Sequence, residues 1–427
     1  MPPADGHQSS ALAPSDRANG RRLQTPQKTW LSMLASLPEP QTATLSLRDA
    51  LGHVLQKAVR ADRDMPPADR SGMDGFAVRA ADLKGLPVSL ALLGEIAAGS
   101  PLSPVVNPGM CVRIFTGANL PAGADTVVKA EDTRADHAGR IVVTIREAKG
   151  ANVRHRGENA RRGSEVVPAG TVIGPVQVGL CAAVGASNLR VARKPTVAVL
   201  ATGRELLASG AAAAAHQERD ANGPLLSAAL RESGLAVVLV DRVSDERHAI
   251  AVKLREALAA ADAVIVSGGV SVGAYDFVPA ATKAVGARTV AHGVAMKPGK
   301  PFLFAVAPRG QPIFGLPGNP LSAAVGLHEF VLPALRRMAG LPEASCRPLL
   351  CARLRAPVSN PTRLQYHLLG ALATTTTGTE VTVVASQSSG DLVAGAIADG
   401  TIILPPDARE LAAGSLVDFR PWRRWPW

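Results

Sequence analysis

A chain of 427 residues has room for about three domains; 47% hydrophobic residues exclude a disordered protein, and 3% aromatics mean that its cores are built from Val, Leu, Ile and Ala. The four scattered cysteines, Cys111, Cys181, Cys346 and Cys351, contain no CxxC pair, which argues against a disulfide framework or a zinc site and for a reducing compartment. The net charge of +11 leaves nucleic acid, a membrane surface or a small anionic substrate as partner classes; no uncharged apolar run reaches the roughly 18 residues of a bilayer span, and no signal-peptide core is visible, so a soluble cytoplasmic protein with no membrane partner is expected.

Residues 1–27 are polar and rich in Pro, Ala and Ser, and read as a disordered tail. From Trp30 the pattern turns helical, and "SLRDALGHVLQKAV" (46–59) sets Leu47, Leu51 and Leu55 on one helical face. The segment 28–194 thus divides into helical stretches at 28–60 and 152–190 around a β-rich subdomain at about 61–151, where runs such as "MCVRIF" and "RIVVTI" alternate with Pro/Gly clusters. "PAGTVIGPVQVGLCAAVG" (168–185) reads as a turn followed by a helix. Residues 195–342 alternate strands and helices. "TVAVLATG" and "DAVIVSGG" are strands ending in glycine turns, "NGPLLSAALRESG" is a helix capped by Asn222, and "DERHAIAVKLREALAAA" places Ile250, Leu254 and Leu258 four apart. A further strand runs into "FGLPGNP", with a helix to about Gly340. Repeated βαβ units predict a doubly wound, three-layer α/β domain with a parallel sheet. Residues 343–427 return to short strands and read as a small C-terminal β domain, barrel-like in character. The terminal "RPWRRWPW" (420–427) is the densest basic cluster; a solvated or packed chain end is the expectation there, and nucleic-acid binding is unlikely.

In a doubly wound sheet, ligands sit at the carboxyl ends of the strands. Three glycine turns fall there: Thr202-Gly203, Ser267-Gly268-Gly269, and the turn holding Pro317, Gly318 and Asn319. Their spacing is neither GxGxxG nor a P-loop. Exposed backbone N–H groups at such turns cradle an anion. The hydroxyls of Ser267 and Ser271, the flexibility of Gly273, and the paired Lys297 and Lys300 of "MKPGKPF" add to that reading and point to a phosphorylated ligand without identifying it. Glu205, Asp245 and Asp276 lie just beyond strands, where carboxylates beside phosphate suit Mg²⁺. Asp245 and Asp276 also have a plainer reading as helix caps, and Asp74, in "MDG", as a turn residue.

The ordered segments "SGMDGFAVR", "FTGANLPAGADTVV", "RHRGEN", "ATGREL", "SGGVSVGAYD", "MKPGKPF" and "GLPGNPLSA" resemble the MoeA family, the molybdopterin molybdenumtransferases, from about residue 30 to the C-terminus. The resemblance implies that the α/β domain binds molybdopterin, a phosphorylated pterin dithiolene delivered as its adenylylate. It implies insertion of molybdate with Mg²⁺ assistance and release of AMP. It also implies a homodimer, with possible contacts to other molybdenum cofactor biosynthesis proteins and to recipient molybdoenzymes. By matching position, it implies catalytic roles for Asp74, Thr116, Glu205, Asp245, Asp276 and Lys297, with Glu205, Asp245 and Asp276 as metal ligands. Gly203, Ser267, Gly268, Gly269, Ser271, Gly273, Lys300, Pro317, Gly318, Asn319 and Arg363 fall to cofactor binding, with Ser389 or its neighbour Ser388 in a looser match. Asn159, Arg204, Ala274 and Gly293 depart from the family pattern, three of them by lacking an acid. A weaker Mg²⁺ dependence is therefore expected, and the alternative function is a non-catalytic molybdopterin-binding carrier or scaffold.

Overall fold

The computed structural model describes residues 17–18, 21–101, 104–271, 273 and 276–422. They form two compact units: Thr44–Leu51 with Lys57–Arg190, and the remainder of the chain.

In the unit containing Lys57–Arg190, a six-stranded sheet runs in the order Thr133–Ala135, Ile141–Val143, Val88–Ile96, Met110–Ile114, Gly75–Val78, Thr126–Lys129. The last two strands in this order are buried on both faces. Phe76, Val78 and Val128 enter one cluster with Leu90 and Cys111, while Ala77 and Val127 enter another with Ile96 and Ile114. This explains why "GFAV" and "TVVK" read as continuous apolar runs rather than alternating ones. The expected helix over 46–59 is not formed. Gly52 stands at φ +72°, a left-handed conformation that no α-helix contains, and Leu51 is 54% exposed. Within 152–190 only Pro175–Ala183 is α-helical, as the turn-then-helix reading of 168–185 anticipates; Val153–Arg154, Glu165–Val167 and Asn188–Ala192 are strands.

The larger unit holds the α/β layers. Its elements are β1 (Thr196–Thr202), α1 (Asn222–Glu232), β2 (Ala236–Val243), α2 (Arg247–Ala260), β3 (Ala263–Ser267), α3 (Val278–Ala284), β4 (Arg288–His292), β5 (Met296–Lys297), β6 (Leu303–Val306), β7 (Pro312–Leu316) and α4 (Pro320–Gly326). The sheet order is β2-β1-β3-β7-β6-β4. Alternation builds the three layers. Val197, Val199 and Ile265 face one side with Leu226 and Leu230 of α1, and Ala198, Leu200, Val264 and Val266 face the other with Ile250 and Leu254 of α2. The first four strands in this order are parallel, as expected, but β6 runs antiparallel to β7, and β4, antiparallel to β6, points the same way as the first four. The link from β6 to β7 is a short hairpin, too short for the crossover that a parallel pair requires.

After α4 the helix passes through a π-turn (Leu327–Val331) into α5 (Leu332–Met338). A closed barrel follows, made of β8 (Leu350–Leu354), β9 (Gln365–Thr375), β10 (Gly378–Val383), β11 (Gly400–Leu404) and β12 (Leu416–Pro421) in the order β9-β10-β8-β12-β11 and back to β9. β5 adds to β9, with Lys297 opposite Tyr366.

The N-terminal end differs from expectation. Of the tail predicted at 1–27, residues 1–16 and 19–20 lie outside the described residues. Arg17–Ala18 pairs with Arg21–Arg22, and a helix begins at Pro26, with Thr25 as its N-cap, so disorder does not extend to 27. At the C-terminal cluster, expected to be solvated or packed, Arg420 is packed. It is 3% exposed, and its Nε donates to Glu329 Oε1 at 2.7 Å. Trp422 stacks on His328 with ring centroids 5.8 Å apart. Residues 423–427 lie outside the described residues. Among the described residues no helix is long and apolar enough to cross a membrane.

Candidate active site

The strand ends of the α/β domain bring the predicted turns together. Gly268 N–H donates to Leu316 O at 2.9 Å, and a Cβ placed on Gly318 would lie 3.8 Å from Gly268 Cα. Gly268 sits at φ +98°, and a Cβ there would fall 2.5 Å from Thr202 O, so only glycine lets this turn close on the end of β1. Gly203 belongs to the same edge: its N–H donates to Val243 O.

Asn222 ties the cradle together, and the sequence reading misassigned it. It does not cap α1: the N-cap is Ala221, and Asp220 Oδ1 accepts from Gly223 N–H instead. Asn222 is 8% exposed, and its Nδ2 donates to Ser267 Oγ at 2.8 Å and to Gly318 O at 2.6 Å. Ser267 Oγ in turn donates to Pro317 O at 3.2 Å. Ser271 is exposed at the same turn, while Val272, Ala274 and Tyr275 lie outside the described residues.

The carboxylates gather at this edge. Burial pushes the Asp245 carboxyl above its usual range, the nearby Thr202 hydroxyl and Arg204 oppose this, and the charges of Glu205 and Asp276 add to it. Its Oδ1 is buried without a hydrogen bond. Neither helix-cap alternative holds. The N-caps of α2 and α3 are Glu246 and Phe277, and Asp276 Oδ2 instead accepts from Gly273 N–H at 2.6 Å. Among the described residues no three metal-type side chains close into a preformed cage. A buried carboxylate oxygen with no donor, raised further by neighbouring acids, nevertheless fits a cation that takes one or two protein carboxylates and completes its shell with phosphate oxygens and water, as Mg²⁺ does. Arg204, one of the departures, reaches Glu246 at 3.6 Å, and both side chains are largely exposed.

Beside the cradle a cleft of about 690 Å³ opens between the "MKPGKPF" turn and the barrel; Lys297, Lys300, Asn319, Ser322, Ser388 and Ser389 are on its wall. Ser389 Oγ accepts from Asn319 Nδ2 at 2.7 Å, so of the two serines Ser389 is the one bonded to the glycine turn. Lys297 Nζ sits 5.6 Å from the centroid of the Tyr366 ring. Arg363 is exposed in the turn before β9 and does not line this cleft.

The remaining predicted residues meet in the other unit. Asp74 Oδ1 accepts from the Thr116 hydroxyl at 2.6 Å and from its N–H at 2.7 Å, and these bonds hold the carboxyl below its usual range. Thr116 lines a pocket of about 430 Å³ together with Arg63, Arg70, Arg154 and Asn159. Arg70 Nε is buried with no acceptor, and Asn159 Oδ1 accepts from Arg154 at 3.5 Å. The sequence reading missed these three guanidiniums. Only Arg154 lies inside a quoted motif, and Arg63 and Arg70 lie far from it in the chain.

Residues 22–185 match the family model for the MoeA N-terminal region (domain I and II), residues 198–337 that of a probable molybdopterin binding domain, and residues 352–422 that of the MoeA C-terminal region (domain IV). The molybdopterin molybdenumtransferase of Staphylococcus aureus (strain Mu50) is 34% identical over 382 residues, covering 88% of this chain and 90% of that one. The enzyme of the same name from Staphylococcus epidermidis (strain ATCC 12228) is 33% identical over 388 residues, covering 89% and 91%. The crystal structure of a molybdopterin biosynthesis MoeA protein from Pyrococcus horikosii superposes with a TM-score of 0.80 at 28% identity, covering 95% of this chain and 100% of that one. The chain therefore belongs to the MoeA family, with relatives named molybdopterin molybdenumtransferases along nearly its whole length.

Proposed function

We propose that this chain is a molybdopterin molybdenumtransferase that inserts molybdate into adenylylated molybdopterin and releases AMP. The observation that carries the reading is the meeting, at one sheet edge, of a glycine cradle for phosphate with an under-bonded carboxylate, Asp245. The cradle turns bind the ligand's phosphate end, and the Ser267 hydroxyl, which donates to Pro317 O, supports the turn from behind instead of donating to the ligand as the sequence suggested. Lys297 and Lys300 draw a dianion such as molybdate towards the adjoining cleft. Asp245, with Glu205 or Asp276, would hold Mg²⁺, which when bound neutralises charge on the phosphoanhydride as it is cleaved. Asp74 is held ionised by Thr116 and is available to orient a donor group of the substrate. A cytoplasmic homodimer that hands its product to recipient molybdoenzymes completes the proposal. Expression of the chain in a bacterial strain lacking its own molybdenumtransferase tests it: restored molybdoenzyme activity is expected, and none from a well-expressed protein counts against it.

The Arg204–Glu246 contact gives the first quantitative expectation. Arg204 sets a positive charge beside Asp245. Arg204→Asp should bind Mg²⁺ about tenfold more tightly than the parent, because like charge at a cation site is replaced by opposite charge. Calorimetric Mg²⁺ titration of both proteins measures this; superimposable curves would remove Arg204 from the account.

A further inference from the structure

We infer that Asn222 is the positioning residue that shapes the anion cradle, by turning two backbone N–H donors of the Pro317-Gly318-Asn319 turn towards the ligand. The inference rests on the reading of that cradle as the molybdopterin phosphate site.

Gly318 O can only accept, so the Asn222 side-chain atom 2.6 Å from it must be Nδ2. That fixes the amide: one proton goes to Gly318 O and the other to Ser267 Oγ. The serine hydroxyl is then left to donate to Pro317 O. Two successive carbonyls, those of Pro317 and Gly318, are thereby held back towards α1 and β3.

A trans peptide points its N–H opposite its C=O, and neither of these two bonds is cis. The N–H groups of Gly318 and Asn319 are therefore turned away from Asn222. Among the described residues neither has a backbone or side-chain acceptor. Pro317 and Pro320, which flank them, have no N–H to compete. One buried amide thus leaves a pair of adjacent donors free, which is what an anion site needs.

Asn222 Oδ1 is buried without a partner. An apolar residue or a serine at this position would avoid that penalty. Tolerance of an unsatisfied carbonyl is understandable if the two amide donors are what the position supplies.

The test compares the affinity of the full-length protein for molybdopterin, alongside its melting temperature, in the parent, Asn222→Asp and Ser267→Ala. Asn222→Asp keeps the shape but sets a carboxylate against Gly318 O. Binding about tenfold weaker than the parent is expected at pH 8. Burial favours the neutral form of the introduced carboxyl, which regains one donor as it protonates, so the ratio to the parent should narrow from pH 8 to pH 5.5. Ser267→Ala keeps the Gly318 bond and should lose only about threefold, and the double variant should lose less than the product of the two. Parent-like affinity in both single variants would overturn the inference. So would a loss in Asn222→Asp that is the same at both pH values and follows its melting temperature. If the parent itself fails to bind molybdopterin, the reading of the cradle falls, and the inference with it.

Discussion

Glu329→Ala should destabilise the α/β-and-barrel unit by about 3–5 kcal/mol, the range for removing one partner of a buried ion pair. Glu329 lies in the π-turn after α4 and is 1% exposed. Its two oxygens accept from Arg420 at 2.7 Å and from Arg347 at 2.9 Å, so its loss strands two guanidiniums, one of them 3% exposed. Glu329→Met combined with Arg420→Met should cost less than Glu329→Ala alone, because no unpaired charge is left from that pair. Burial raises the Glu329 carboxyl, but the attraction of Arg420, His367 and Arg347 more than reverses this and holds it at about 2. The folded pKa is therefore depressed. The stabilisation is complete above the ordinary value of 4.5, shrinks as pH falls from there towards about 2, and is absent below. Urea unfolding at pH 7 and at pH 3 measures both effects: the gap between the parent and Glu329→Ala should be smaller at pH 3. A gap below about 1 kcal/mol at pH 7 would mean that the pair does not hold the barrel strand β12 in place.

Gly268→Ala should weaken molybdopterin binding by about 100-fold while leaving every charge in place, the scale of loss expected when a binding element shifts by about 1 Å. The new methyl carbon would sit 2.5 Å from Thr202 O and 2.6 Å from Thr202 Oγ1, and the residue would hold φ +98°. Backbone cannot yield as a long side chain can, so the turn must move away from β1 and open the cradle. Titration with molybdopterin, paired with circular dichroism to confirm folding, reads this directly. Affinity within threefold of the parent would show that the turn tolerates displacement and that the cradle geometry matters less than its charge.

The α/β layers were legible because buried strands and amphipathic helices leave separate marks. In β1 consecutive residues feed opposite cores, and Ile250 and Leu254 recur at the helical period. The antiparallel edge was not legible, because periodicity reports which side chains are buried and not the direction of a strand. Leucines at 47, 51 and 55 imitated a helix, and Gly52 was the residue that should have outweighed them. Lys297 and Ser389 were found through motifs, and the structure sets them on one cleft. Asn222 was misread because an asparagine ahead of Gly-Pro looks like a cap; its partners, Ser267 and Gly318, lie far along the chain. Arg63, Arg70 and Arg154 were missed for the same reason. A cationic pocket assembled from one bend and two paired strands, with Arg70 opposite Arg154 from far along the chain, has no local signature.

The central claim is chemical, and an in vitro reaction tests it most directly. Purified protein is supplied with adenylylated molybdopterin, molybdate and Mg²⁺, and AMP and active molybdenum cofactor are followed together. The account predicts AMP release that depends on molybdate, matched by cofactor able to activate a recipient apoenzyme. Tight molybdopterin binding with neither AMP nor cofactor would contradict it, and would make the chain a carrier built on the same cradle.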